Sequence, residues 1–318
     1  APRDSAPDPA PGNARPMIVV LPFENLGAPE DEYFADGLTE EITSRLAAIK
    51  DLGVISRTSA MQFKEQRPSL REIGEQLGVD YVLEGTVRWE HHTGGVNRVR
   101  VTPQLIRVTD DTHLWADRYD RELAEIFAVQ GDIAAEVARE LNITLLEPEQ
   151  AVLQEQPTEN MDAYQAYLRG MELWNRPGYD VTRFELALEM FERAVALDPG
   201  FVVAWTELSS VHVMLYQAGD RGDEALAVAE HAISRAADLD PDHPEVRLAR
   251  GYYHYLGFLD YERALVDFEA LESERPNDPG VHEAIGYVRR RQGQLDEATE
   301  RLRRAWRLDP KNAHYSLM

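Results

Sequence analysis

The chain has 318 residues, 43% of them hydrophobic, enough for two buried cores given that domains commonly run to about 100 to 200 residues. Asp and Glu number 57 against 33 Lys and Arg, a net charge of −24, so the surface repels phosphate backbones and gains nothing from counterion release; this speaks against nucleic acid and anionic membrane as partners of the whole chain. Cysteine is absent, which excludes disulfides, thiolate metal sites and cysteine nucleophiles, and no apolar run approaches the roughly 18 residues of a membrane span.

Residues 1–16 contain Pro2, Pro7, Pro9, Pro11 and Pro16 and no periodic apolar pattern, so they read as an extended linker or tail. Because the chain starts at Ala1, the expectation is that something upstream has been removed. Met17-Ile-Val-Val-Leu-Pro22 then reads as a buried strand. Between Asp31 and Lys50, Phe34, Leu38, Ile42, Leu46 and Ile49 recur at helical spacing, which predicts an amphipathic helix packed on that strand. Leu52 to Ile55 gives a second strand, and Ser69 to Leu77 a second helix closed by Gly78.

The period then changes to alternation. Val79 to Trp89 and Val96 to Val108 read as strands joined by Thr93-Gly94-Gly95, whose glycines supply the positive φ of a hairpin turn. Thr112 to Tyr119 adds a third run, and a long helix is expected over Leu123 to Leu146. The order β-α-β-α-β-β-β-α implies an α/β domain with a mixed sheet over 17–150.

From Met161 onward only paired helices are legible. Pro199, Pro241, Pro276 and Pro310 punctuate them, and three follow Leu-Asp: Leu197-Asp198, Leu239-Asp240 and Leu308-Asp309. The closing spacing of about 34 residues is that of the tetratricopeptide (TPR) repeat. With Pro310 at repeat position 32, Gly286, Gly293, Ala298 and Ala305 fall at positions where the two helices approach closely and small residues are needed; Ala187, Phe191 and Ala194, and then Ala264 and Phe268, fall on the equivalent positions of the first and third units. The expected organisation of 151–318 is an all-α TPR solenoid of four complete hairpins, with His314 to Met318 beginning a fifth, so that the chain ends inside a repeat.

The strings Val20-Leu-Pro-Phe-Glu-Asn25, Tyr33-Phe-Ala-Asp-Gly-Leu-Thr-Glu-Glu-Ile42, Tyr81-Val-Leu-Glu-Gly-Thr-Val-Arg88, Leu114-Trp-Ala-Asp-Arg-Tyr-Asp-Arg121 and Ile126-Phe-Ala-Val-Gln130 resemble the TolB amino-terminal-like domain over Met17 to about Leu146. In that family TPR repeats commonly follow, and the pair often forms the carboxy-terminal region of bacterial class III nucleotide cyclases, winged-helix regulators and Ser/Thr kinases. The resemblance therefore implies the extracytoplasmic, periplasmic part of a membrane-anchored signalling protein, with the membrane reached only through an upstream anchor.

Catalytic chemistry finds no foothold. Neither Gly-x-x-x-x-Gly-Lys-Ser/Thr, Gly-x-Gly-x-x-Gly nor Gly-x-Ser-x-Gly occurs. His91 and His92 read as a solvated turn without a third metal ligand, and Gly219-Asp-Arg-Gly-Asp-Glu224 lacks the ligand spacing of a calcium loop. Asp110 and Asp111 read as turn residues, Asp36-Gly37 as part of a helix start, and Asn142-Ile-Thr144 as a sequon on a helix. No enzyme activity, cofactor or metal is expected.

A protein or peptide ligand is the expected partner, held by the concave face of the repeats. Repeat register places Tyr164, Tyr167, Met171 and Trp174, then Tyr252, Tyr255 and Leu256, then Glu283, Tyr287, Arg290 and Arg291 on that face. Aromatic rings with polar tips beside paired arginines suit a peptide bearing carboxylates; packing between helices is the competing reading for several tyrosines. The alternative role is a structural assembly component, a homo-oligomer built through the basic C-terminal repeat around Leu302 and Trp306.

Overall fold

A computed structural model describes residues 15–65, 68–90 and 97–312. The protein is an α/β domain with a mixed sheet followed by TPR-type helical hairpins. The sheet runs β3-β1-β4-β5-β6, with β2 on the edge of β4 and β7 on the edge of β5. Its strands are β1 (Met17–Val20), β2 (Glu24–Asn25), β3 (Gly53–Val54), β4 (Tyr81–Glu90), β5 (Arg98–Arg107), β6 (Thr112–Ala116) and β7 (Tyr119–Glu122). β1 is parallel to β3, β4 is parallel to β1 and β2, and β5 is antiparallel to β4, β6 and β7.

Alternation along β1 decides which helix covers which face. Ile18 and Val20 enter the large core under α1 (Glu32–Ala47) and α4 (Ile126–Glu140), whereas Val19 and Leu21 enter a smaller core under α2 (Arg57–Met61) and α3 (Leu70–Leu77). α3 is defined at both ends: Ser69 and Glu72 form a capping box, and Gly78 closes the helix at φ 67°.

Two expectations are corrected here. The run Thr112 to Tyr119 splits into β6 and the start of β7. The long helix expected to Leu146 ends at Glu140, because Asn142 turns the backbone left-handed at φ 57°; α5 (Glu147–Leu153) then starts afresh with Pro148 in its first turn. The Asn142 sequon therefore lies on this exposed turn and not on a helix. Asp110 and Asp111 do form a turn, Asp111 at φ 52° and Asp110 Oδ1 accepting from Thr112 N at 3.2 Å. The glycine turn at 93–95, His91, His92, the proline-rich residues 1–14 and the start of a fifth hairpin lie outside the described residues.

The hairpins are α6 (Met161–Trp174) with α7 (Val181–Leu197), α8 (Val202–Gln217) with α9 (Asp223–Leu239), α10 (Pro244–Tyr252) with α11 (Tyr261–Glu274), and α12 (Pro279–Arg291) with α13 (Leu295–Leu308). In three of the four hairpins a small residue faces a large one at the crossing. A Cβ on Gly170 would lie 2.5 Å from the Phe191 ring, Gly251 meets Phe268 in the same way, and Gly286 faces Leu302. Two of the recurrent Leu-Asp ends make turns between hairpins: Asp198 Oδ1 accepts from Gly200 N at 2.9 Å and Asp240 Oδ1 from Asp242 N at 3.1 Å, reversing the chain after α7 and α9. α10 widens into a π-helical segment over Tyr253–Gly257.

The solenoid touches the α/β domain near both of its ends. At the first, α6 lies so close on α1 that a Cβ on Gly37 would come within 2.6 Å of Leu168, and Phe127 meets Tyr164 edge-on at 4.6 Å; one apolar core runs through the junction. At the other, Ser56 N donates to Leu308 O at 2.8 Å, Ser59 Oγ to Asp309 Oδ1 at 2.6 Å, and Asn277 Nδ2 to Lys50 O at 3.2 Å.

Candidate functional site

Because the repeats leave α1 and come back to α2, carboxylates of α1 and of the repeats' first helices lie close enough to act on one another, and the space they share is termed the cleft. Glu40 and Glu41 enter it from α1, Glu155 from the link after α5, Glu207 from α8, Glu245 from α10, and Asp278 from the N-terminus of α12. The facing cations are fewer. Arg275 Nη1 holds Glu245 at 2.6 Å, Arg57 lies 3.6 Å from Glu40, and His243 lies 3.5 Å from Glu155. Asn175 Nδ2 adds two hydrogen bonds to Glu40 at 3.1 Å.

These carboxylates keep partial solvent access, yet protein surrounds them on several sides. Loss of hydration, reinforced by Glu245 and Glu40, pushes Glu207 up to about 8. Burial likewise pushes Glu41 up to about 7, with Arg45 opposing and Glu40, Glu155 and Glu245 reinforcing. Glu40 and Asp278 shift upward for the same first reason, against Arg57 and Arg275 respectively. Burial also acts on Glu245, but the Arg275 guanidinium prevails and holds it below the usual carboxylate range. Near neutral pH the crowding thus keeps Glu207 largely protonated and Glu41 partly so, and a cation entering the cleft would favour their ionised forms and release protons.

The residues expected to bind peptide fall into three places. Tyr164 and Tyr167 are interior: Tyr164 packs on Phe127 and accepts from Gln130 Nε2 at 3.1 Å, and Tyr167 packs on Phe201 at 5.1 Å. Helix packing has taken both rings, Tyr164 against Phe127 of α4 and Tyr167 against Phe191 and Phe201 of the repeats themselves. Trp174 is half-buried against Phe184 at 4.9 Å.

Tyr252, Tyr255 and Tyr287 do come together, on α10 and α12, with Glu283 and Asp278 beside Tyr252. Tyr287 donates to Glu283 Oε1 at 2.7 Å, and the Arg290 guanidinium sits 5.1 Å from the Tyr287 ring centre, a cation-π distance. Tyr252 and Tyr287 are partly exposed, Tyr255 is buried, and Arg290 and Arg291 are exposed. The basic pair is therefore at the rim, and carboxylates line the interior. Register alone missed those carboxylates, since Glu40 and Glu41 belong to the other domain; the signal available was the acidic pair inside the Tyr33 to Ile42 string.

Among the described residues no group of three or more His, Asp or Glu side chains is placed to hold a metal ion, and no helix is long and apolar enough to cross a membrane. Asp36 pairs with Lys64 at 2.5 Å, and Arg221 with Glu185 at 3.4 Å beside the Gly219 turn.

No family model matches the chain. A curated relative described as "Putative adenylate cyclase 3", from Rhizobium meliloti (strain 1021), is 34% identical over 263 residues, which cover 80% of this chain and 42% of the relative. The chain thus spans less than half of that protein's length. Among solved structures, a thermophilic TPR protein of Thermus thermophilus, TTC0263, is 20% identical, covering 61% of this chain and 91% of its own, with a TM-score of 0.42. TolB from Acinetobacter baumannii is 16% identical over 40% of this chain and 28% of its own, with a TM-score of 0.30. At such identities and TM-scores the likeness is one of fold and says nothing of function.

Proposed function

We propose that the chain is a non-catalytic, TolB-like and TPR interaction module, the sensory or scaffolding part of a larger bacterial signalling protein, placed on the extracytoplasmic side of a membrane-anchored assembly. It takes a protein or peptide segment into the cleft between α1 and the repeats. The observation that carries this reading is the convergence of Glu40, Glu41, Glu207 and Glu245 on one cleft with too few facing cations to neutralise them. A basic segment fits that interior, with the Tyr252 and Tyr287 rings at its edge and Arg290 and Arg291 engaging an acidic group outside. The relative's name supports the signalling context, since nucleotide cyclases are modular proteins whose remaining length would supply an effector.

The test is fluorescence anisotropy against basic, neutral and acidic peptide panels. Basic peptides should bind in a salt-sensitive way and lose affinity in Glu41→Lys with Glu207→Lys, and a further loss is expected in Tyr252→Ala with Tyr287→Ala. Acidic peptides binding as tightly as basic ones, or no effect of the glutamate changes, would refute it.

A second reading, self-association through the last hairpin, is favoured by Trp306 and Leu295, which stay 49% and 63% exposed; Leu302, expected on that surface, is instead buried against Gly286. Light scattering over a concentration series distinguishes it: a monomer throughout refutes it, and salt-sensitive dimers lost in Arg303→Glu with Arg304→Glu support it.

A further inference from the structure

A separate crevice opens inside the α/β domain, away from the repeats. The chain leaves β1 through α1, which covers one face, to reach β3; it returns through α2 and α3, which cover the other face, to reach β4 on the opposite side of β1. The carboxyl end of β1 is therefore the point where the crossovers part, and in α/β sheets a crevice opens at that point. Here the strand edge itself also breaks. Leu21 N still donates to Leu83 O at 2.8 Å, and Leu26 N donates to Val87 O at 2.7 Å, but between them Pro22 has no N–H and Phe23 N turns away to Thr39 Oγ1 at 3.0 Å.

The gap is a cavity of about 490 Å³, within the roughly 300–1,000 Å³ of small-molecule sites. Its apolar wall is Leu21, Phe63, Leu70 and Ile73. Its floor is the outward face of β4 and β5, where alternation brings Glu84, Thr86 and Gln104 to one side and pairs Glu84 directly with Gln104. The side chains of these three make no hydrogen bond or ion pair among the described residues, although each is partly shielded. The cation on the lining is already committed, because Lys64 Nζ lies 2.7 Å from Glu32 and 2.5 Å from Asp36.

We infer that this crevice is a binding site for a small organic amine, its ammonium held by the Glu84 carboxylate, the Gln104 amide oxygen and the Thr86 hydroxyl, and its apolar body against Phe63 and Ile73. A carboxylate flanked by two neutral acceptors recognises a hydrogen-bonding cation, and among the described lining residues none offers free positive charge to an anion. The inference is independent of peptide binding by the cleft.

The experiment is NMR or calorimetric titration of the whole chain with benzylamine, butylamine and putrescine, with acetate and butanol as controls. At least one amine should saturate below about 10 mM, bind roughly tenfold more weakly in Glu84→Gln, and bind more weakly in Gln104→Leu, while circular dichroism and melting of both variants stay those of the parent. The proposal is overturned if no amine saturates, if acetate or butanol binds as tightly, or if folded Glu84→Gln and Gln104→Leu both keep full affinity.

Discussion

The guanidinium of Arg45, on α1, donates through Nη1 to the carbonyl oxygen of Leu153 at 2.6 Å, at the frayed end of α5 where the chain passes from one domain to the other. The same group reaches Val152 O at 3.0 Å and Glu155 O at 2.8 Å, so one buried cation closes carbonyls that the short helix leaves without partners. Gln130, 3.5 Å from Arg45 Nη2, passes the connection on to the Tyr164 hydroxyl. This network joins α1, α4, α5 and α6 and fixes where the repeats begin.

Arg45→Met is therefore expected to destabilise the protein by about 2 to 4 kcal/mol, because it strands buried carbonyls whose desolvation is no longer repaid by a charged donor. Denaturant melts check this. A loss below about 0.5 kcal/mol would mean that water replaces the guanidinium.

Gly131→Ala should cost about 1 to 3 kcal/mol, since the new methyl falls inside the van der Waals contact of the Leu153 carbonyl, a backbone group that cannot rotate away. Gly37→Ala should cost less, because its obstacle is the end of the flexible Leu168 side chain. Reversal of that order in thermal melts would refute the account of the junction.

Gly286→Leu, and Ala298→Leu across the same crossing, should each destabilise the last hairpin by roughly 1 to 3 kcal/mol through overpacking against Leu302 or its neighbours. Unchanged melting in both would place the crossing elsewhere.

The raised carboxyls predict a pH dependence. Glu41 and Glu207, at about 7 and about 8 when folded, bind more protons in the native than in the unfolded chain between their ordinary value of 4.5 and those values. Their contribution to stability is then fully present below pH 4.5 and falls as pH rises through 7 and 8. Over that window the melting temperature should decline, and Glu207→Gln should flatten the decline. A melting temperature that rises from pH 5.5 to about 8.5 in the parent and is unaltered by the substitution would contradict the cleft's electrostatics.

Asp309→Ala removes the acceptor of Ser59 Oγ and should loosen the return contact at a cost of about 1 to 2 kcal/mol. Hydrogen exchange should quicken in α13 and α2 and stay unchanged in α6, which is anchored at the other end of the solenoid.

Local chemistry was legible in the sequence. The apolar run from Met17 to Pro22 marked a buried strand, Gly78 marked the end of α3, and the small residue at Gly286 marked the crossing of the last hairpin, because each of these signals is written within a few residues and acts over a few ångströms. Tertiary structure alone decided what the concave face is. Tyr164 and Tyr167 have the spacing of groove residues, but Phe127 of α4 packs on the first and Phe191 and Phe201 on the second, and Glu40 and Glu41, far earlier in the chain than Glu207 and Glu245, become part of the groove wall. Repeat register specifies direction within a helix; whether a side chain meets solvent, a ligand or another domain depends on where the solenoid bends, and that is set by contacts such as Arg45 to Leu153 and Ser59 to Asp309 between residues far apart in the chain.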